Sequence, residues 1–235
     1  MQIALITATP MESVELRHHI PEVKEELKIV FEGKLYGKNI IFTHSGVGKV
    51  NAAHSATLIL ENYDIDLMIL FGIGGAYQYS NLRVGDIAVA ESENYAEEGV
   101  LTLEGWHPME YIGLALLKND IEYYNRFPMH KKMTRFAVKT LKDLGFNVIC
   151  GNFVTVSQCS GTLQAGEILR KRFSAICENT EGAAVAHLCT FYKTPLIEIR
   201  GISNIIEDKR NWNITKASSV CSRAVIKLVK GLEWI

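Results

Sequence analysis

Leu67-Met68-Ile69-Leu70-Phe71-Gly72-Ile73-Gly74-Gly75 is the stretch that decides how this chain reads: five apolar residues in a row, then three glycines in four positions. The run predicts a buried strand over Leu67–Phe71, and glycines at a strand end let backbone N–H groups approach a ligand closely. Working outward, similar short apolar runs alternate with helix-length amphipathic segments, as expected where helices cover a largely buried sheet. We read further strands over Ile3–Thr7, Lys28–Glu32, Lys34–Tyr36, Asn39–Ser45, Ile87–Ala90, Asn147–Val156 and Leu196–Gly201. Helices are expected over Met11–Ile20, Lys49–Asn62, Lys131–Leu144, Leu163–Phe173, Thr180–Tyr192 and Thr215–Leu232. In the last, Ala217, Val220, Cys221, Ala224, Val225, Leu228 and Val229 form an i, i+3, i+4 stripe, a packing face without chemistry. The class is α/β.

The 235 residues show no linker, so one domain over 1–235 is expected. Apolar residues make up 48% and charged residues 22%, enough to bury a core without disulfides or metals. With 25 Lys+Arg against 26 Asp+Glu and no run of five like charges, a nucleic-acid arm and a polybasic membrane anchor are excluded. A small neutral or zwitterionic partner fits better. Cys150, Cys159, Cys177, Cys189 and Cys221 are odd in number and never in a C-x-x-C pair, which signals neither a disulfide framework nor a zinc knuckle. With no basic n-region before Thr7, Thr9 and Pro10 and no apolar run near 18 residues, a reducing cytoplasm is the expected home. Ala96–Met129, with Trp106, Tyr111, Tyr123, Tyr124 and Phe127 and no clean period, is expected to be a functional loop or an oligomer contact.

A second glycine cluster, Ser45-Gly46-Val47-Gly48-Lys49, sits between a strand and a helix. It is not a phosphate-binding P-loop, because Val50 follows Lys49 and Thr43 stands where the leading glycine belongs. Gly72 and Gly74 with Glu91 mimic a dinucleotide fingerprint, but Tyr77 replaces its third glycine and Leu82-Arg83-Val84-Gly85-Asp86 reads as a turn into another strand. No H-E-x-x-H and no G-x-S-x-G occurs, so metal hydrolysis and the hydrolase serine lack support. Glu12 and Glu181 open helices, where an acid is ordinarily explained by the helix dipole, and Asn204 reads as a turn residue. All three also follow strands or open helices, the places where α/β sheets gather ligand groups.

Taken in order, Glu12, Ser45-Gly-Val-Gly-Lys-Val-Asn-Ala-Ala53, Gly72-Ile-Gly-Gly75, Val84-Gly-Asp86, Glu181-Gly-Ala-Ala and Arg200-Gly-Ile-Ser-Asn204 resemble the nucleoside phosphorylase and nucleosidase superfamily. Within it, Glu97-Glu98-Gly99, Asn125-Arg126-Phe127-Pro128, Thr155-Val156-Ser157 and Trp212 resemble the branch that hydrolyses futalosine in the alternative menaquinone pathway. The resemblance implies a three-layer sandwich with a central mixed β-sheet flanked by helices, a homodimer, and cleavage of an N-ribosidic bond without metal or cofactor. As C1′–N9 breaks, positive charge grows on the ribose and negative charge on the purine, so useful groups must favour both.

By that resemblance Glu12 activates water, Glu181 accepts from the ribose hydroxyls, Gly72 and Gly74 are backbone contacts, and Val47 lines the ribose side. Asn204 stands where adenine-specific relatives carry Asp; its NH₂ offers two donors, suited to N7 and O6 of a 6-oxopurine. The superfamily's base-stacking positions fall on Cys159 and Ser160, leaving Phe153 or an aromatic of Ala96–Met129 for that role. Asn179-Thr180 replaces the usual Glu-Met on the sugar side. The first strand is followed by no arginine, favouring water over phosphate, although Lys49 and Arg83 keep phosphorolysis open. The rivals are an adenine nucleosidase acting on methylthioadenosine or adenosylhomocysteine, a purine nucleoside phosphorylase, and a nucleoside-binding or storage protein without catalysis.

Overall fold

The computed structural model describes residues 1–20, 24–27, 30–207 and 211–232. In chain order the strands are β1 (Gln2–Thr7), β2 (Lys24–Leu27), β3 (Val30–Leu35), β4 (Lys38–His44), β5 (Leu67–Ala76), β6 (Ile87–Tyr95), β7 (Gly99–Thr102), β8 (Gly105–Pro108), β9 (Leu117–Lys118), β10 (Glu122–Tyr123), β11 (Arg126–Pro128), β12 (Val148–Thr155), β13 (Ala175–Asn179) and β14 (Leu196–Ile205). The helices are α1 (Val14–Arg17), α2 (Lys49–Asn62), α3 (Lys131–Asp143), α4 (Leu163–Phe173), α5 (Gly182–Phe191) and α6 (Ile214–Gly231).

A mixed sheet in the order β11-β6-β12-β13-β5-β1-β4-β3-β2 forms the centre, and β14 pairs with both β5 and β6. The pairing β5-β14-β6-β12-β13 therefore closes on itself, since β13 returns to β5. Successive side chains of a strand point to opposite faces, and here both faces are apolar. Ala4, Ile6, Met68 and Leu70 pack with Ala52, Ala56 and Ile59 of α2 and Ala183 to Ala186 of α5. Their neighbours Ile3, Leu5, Ile69 and Phe71 pack on the other side with Leu16, Ala137, Leu141, Ala224, Val225, Leu228 and Val229. Each buried Leu, Ile, Val, Met or Phe among them contributes about 1.5–3 kcal/mol, which explains the unbroken apolar run at Leu67–Phe71. The expected sandwich of helices on a mixed sheet is the fold observed.

Several boundaries differ from the sequence reading. Strand β5 runs on through the glycines to Ala76, because residues 72–76 keep backbone partners on β14 and β13. Strands β6 and β14 likewise extend to Tyr95 and Ile205, carrying Glu93, Asn94, Ser203 and Asn204 into the sheet. Met11–Ile20 is not one helix: a 3-10 turn over Pro10–Ser13, capped by the Glu12 carboxylate on the Thr9 N–H, precedes the single turn of α1. The two strands expected over 28–36 are one, β3, continuous through Gly33; residues 28 and 29 lie outside the described residues. Ala96–Met129 holds the hairpins β7–β8 and β9–β10 and the edge strand β11. All five cysteines are free. Among the described residues no helix is long and apolar enough to cross a membrane.

Candidate active site

Glu12 sits in the turn after β1, buried over the glycine segment of β5. Its Oε2 accepts from Thr7 Oγ1 at 3.1 Å, Thr9 N at 2.8 Å and Thr9 Oγ1 at 3.0 Å, and its Oε1 accepts from Ile73 N at 2.9 Å. Three of the four donors crowd Oε2 and one reaches Oε1, so the remaining acceptor capacity is on Oε1. A Cβ at position 72 would come within 2.5 Å of that Oε1, so the absent side chain of Gly72 is what lets the carboxylate lie on the strand.

Glu181 begins α5. Its Oε1 accepts from Gly48 N at 3.0 Å and from Thr180 Oγ1, and its Oε2 accepts from Arg200 Nη1 at 3.1 Å. The contact from the Ser45–Lys49 glycine loop is thus the Gly48 amide, held at φ +95°, where glycine is favoured. Val47 lies beside it with its side chain 60% exposed. Ile73 ties the two acids together: its N–H goes to Glu12 and its carbonyl accepts from Arg200 at 3.3 Å.

Sequence reasoning treated Arg200 only as part of a motif, but it is the hub of the site. At 1% exposure its Nε donates to Glu198 at 2.9 Å and its Nη2 to Asn179 Oδ1 at 3.1 Å. Burial alone would lower its pKa; Glu198, Glu181, Glu12 and Glu93 outweigh that and raise it. Asn179 is a support in this geometry. Its Oδ1 accepts from the backbone N–H groups of Glu181 and Gly182 and its Nδ2 donates to Glu93, so its amide faces protein groups. Glu198 was missed because it reads as one more residue of an apolar strand, and Glu93 because the strand was expected to end at Ala90. Both are pushed above the carboxylate range, first by burial; the second cause for Glu93 is the Glu198 carboxyl.

On the β14 side the pairing with β5 slips between Ile202 and Asn204, so Ser203 forms a bulge, a device that re-aims side chains. Ser203 Oγ lies 2.8 Å from Asn204 Oδ1 and 3.2 Å from the Gly74 carbonyl. A hydroxyl has one proton, and the shorter contact takes it. The Asn204 carbonyl is thereby anchored, and Nδ2 is the atom turned toward Gly75.

Other expectations are corrected. Phe153 is 0% exposed and packed in the core, so it has no face to offer a purine. A Cβ at Gly74 would meet Cys177 Sγ at 2.6 Å, which gives that glycine a packing reason between strands. Lys49 Nζ is held by Glu98 at 2.7 Å and Glu97 at 3.2 Å, and Arg83 is exposed on the turn before β6. Cys159 is exposed on the loop after β12, and the Ser160 backbone and hydroxyl both donate to Glu178.

Residues 2–232 match the Phosphorylase superfamily. A futalosine hydrolase of Thermus thermophilus is 32% identical over 197 residues, 83% of each chain. A 5′-methylthioadenosine/S-adenosylhomocysteine nucleosidase of Geobacillus sp. is 29% identical over 99% of this chain and all of its own. The same-named enzyme of Neisseria meningitidis, solved with methylthio-immucillin-A, superimposes with a TM-score of 0.85 at 24% identity, over 98% of this chain and 99% of its own. This chain belongs to the phosphorylase superfamily. Within it, the chain is an N-glycosyl hydrolase, a nucleosidase.

Proposed function

We propose that the chain hydrolyses the N-ribosidic bond of futalosine, releasing hypoxanthine, as one domain over 1–235 that works as a homodimer. The observation that carries the choice of base is the Asn204 amide, anchored through its carbonyl by Ser203 so that the NH₂ is presented. Two donors match N7 and O6 of a 6-oxopurine; a 6-aminopurine would set its amino group against them. The futalosine hydrolase relative supports the same reading.

In this reading Glu12 Oε1 takes the proton of a water that bonds to C1′, as the C1′–N9 electron pair leaves with the purine. Glu181, with acceptor capacity left on Oε2, receives a ribose hydroxyl and offsets the positive charge on the sugar. Asn204 stabilises the charge on the departing base through N7. Water is preferred to phosphate because the nearby cations are engaged, Lys49 by Glu97 and Glu98 and Arg200 by Glu181 and Glu198. Val50 at 83% exposure and Leu103, fully exposed, are apolar side chains that a second copy would cover, which sedimentation would test.

The test is chromatography of base release from futalosine, methylthioadenosine and inosine, each with and without phosphate. Phosphate-independent hypoxanthine release from futalosine is the expected result. Adenine release moves the chain to the methylthioadenosine reading, phosphate dependence makes it a phosphorylase, and binding without turnover makes it a storage protein.

A further inference from the structure

Glu181 is the N-cap of α5, the place where a side chain ordinarily accepts from the second or third helical N–H. Its carboxylate does not. The donors that reach it, Thr180 Oγ1, Gly48 N and Arg200 Nη1, all come from outside the helix. The opening N–H groups of α5 are served by other side chains. Asn179 Oδ1 takes those of Glu181 at 2.9 Å and Gly182 at 2.7 Å, and Thr155 Oγ1 takes that of Ala183 at 2.6 Å. Ala183 is the second helical residue, so Thr155 of β12 holds a donor that an N-cap side chain would otherwise take.

Both substitutes are oriented by one buried acid. Glu93 of β6, at 0% exposure, accepts from Asn179 Nδ2 at 2.5 Å on Oε1 and from Thr155 Oγ1 at 2.8 Å on Oε2. The other acceptor near Thr155, Asn179 Oδ1, is further off at 3.4 Å. These contacts settle which way each capping group points. An amide whose NH₂ is taken by Glu93 turns its carbonyl to the helix, and a hydroxyl whose proton goes to Glu93 keeps a lone pair for Ala183. Asn suits position 179 because an amide accepts from α5 and donates to Glu93 at once, which a carboxylate there could not do. Gly182 has no side chain where a Cβ would lie 2.1 Å from Glu93 Oε1, so the acid can lie against the helix start.

We propose that Glu93 and Thr155 are positioning residues: with Asn179 they cap α5 in place of Glu181, and so leave the Glu181 carboxylate facing the sugar. The proposal rests on the reading in which Glu181 receives a ribose hydroxyl. Without the substitute cap, the Ala183 N–H lies open to the carboxylate of its own N-cap residue. A buried N–H left without an acceptor is costly, and folding back to meet it draws Glu181 away from Gly48 and from the substrate. Neither Glu93 nor Thr155 has to touch the substrate for this.

The experiment is inhibition of base release by a ribonucleoside and by its 2′,3′-dideoxy counterpart. The pair is inosine and 2′,3′-dideoxyinosine where hypoxanthine is the base released, adenosine and 2′,3′-dideoxyadenosine where adenine is, so a wrong base leaves the test standing. Wild type is expected to prefer the ribonucleoside about 10- to 100-fold, the range for a hydrogen bond to a charged group. In Glu93→Leu and in Thr155→Val that preference should shrink towards one, through weaker binding of the ribonucleoside with the dideoxy compound nearly unchanged. Glu93→Gln keeps an acceptor for Asn179 and offers its NH₂ to the Thr155 oxygen, so it should restore the preference. A wild-type preference in either disrupting variant, or a loss of affinity for both ligands by the same factor, overturns the proposal, since a merely structural role moves both ligands together. If Glu93→Leu does not fold, Thr155→Val decides, because it removes one hydroxyl and no charge. Equal inhibition of wild type by the two ligands is a distinct failure: Glu181 then receives no ribose hydroxyl, and the proposal falls with that reading.

Discussion

Arg200 and Glu181 form a fully buried ion pair, Nη1 to Oε2 at 3.1 Å, and the same guanidinium reaches Glu198 at 2.9 Å. Removing one member of a buried pair leaves the other charge without compensation, at a cost of about 3–5 kcal/mol. Arg200→Leu should therefore lower the urea midpoint by that equivalent and abolish activity. Arg200→Lys keeps a charge but cannot span Glu198, Asn179 and Glu181 at once, so it should recover only part of the stability. A wild-type midpoint for Arg200→Leu would show that the pair does not hold the site together.

Glu12→Gln tests water activation. The amide is close to isosteric but has no basic oxygen, and removal of a general base typically costs 10²–10⁴ in rate. The expected result is a kcat reduced by that factor with KM changed much less, since Glu12 acts on the water and Glu181 on the sugar. A KM rise at constant kcat would reassign Glu12 to substrate binding.

How much of this site was legible in the sequence depends on what each residue does. Glu12, Glu181 and Asn204 stand in recognisable motifs at strand ends, and the alternating apolar runs gave the layers. Glu198 was invisible because it reads as one more position of an apolar strand, Glu93 because its strand was expected to stop at Ala90, and Glu178 because no element was expected there; each becomes a partner only when non-adjacent strands pair. Strand β13 was missed for a related reason: five residues, Ala175–Asn179, carry too short a pattern between two helices to announce a strand. Phe153 was misplaced because the stacking positions fall on the non-aromatic Cys159 and Ser160 and it was the aromatic nearest to them on the same segment, whereas β12 turns it into the core. Asn179 was expected to touch substrate, but pairing brings it between Glu93, Arg200 and the start of α5.

Glu93 gives a pH prediction with a definite sign. Its carboxyl is pushed well above the usual range, first by burial and then by the neighbouring Glu198 carboxyl. A group whose pKa is raised by folding holds its proton more tightly in the native state, so its contribution is complete below the unfolded pKa. That contribution is lost as pH rises through the folded pKa. Glu93→Gln mimics the protonated form and has no proton to lose. The stability difference, wild type minus Glu93→Gln, should therefore fall as pH rises from the ordinary carboxylate range toward neutrality and beyond. Urea midpoints at pH 5, 7 and 9 check this, and parallel curves would mean that Glu93 is ionised throughout.

Two glycines separate stability from recognition. A Cβ at Gly182 would lie 2.1 Å from Glu93 Oε1 and 2.6 Å from Glu198 Oε1, inside the buried acid pair and with no room to yield. A Cβ at Gly75 would meet Asn204 Nδ2 at 3.3 Å and Glu178 Cγ at 3.5 Å, contacts that small shifts absorb. Gly182→Ala should thus destabilise the fold by about 1–3 kcal/mol, the usual cost of overpacking a core. Gly75→Ala should leave the urea midpoint nearly unchanged while its methyl group crowds the Asn204 amide, lowering affinity for hypoxanthine about tenfold or more, a difference of about 1.4 kcal/mol per decade. The pair of measurements is discriminating because both substitutions add one methyl group to the interior. Equal loss of stability in both would show that the space beside Gly75 belongs to the core, and unchanged base affinity in Gly75→Ala would place the purine elsewhere.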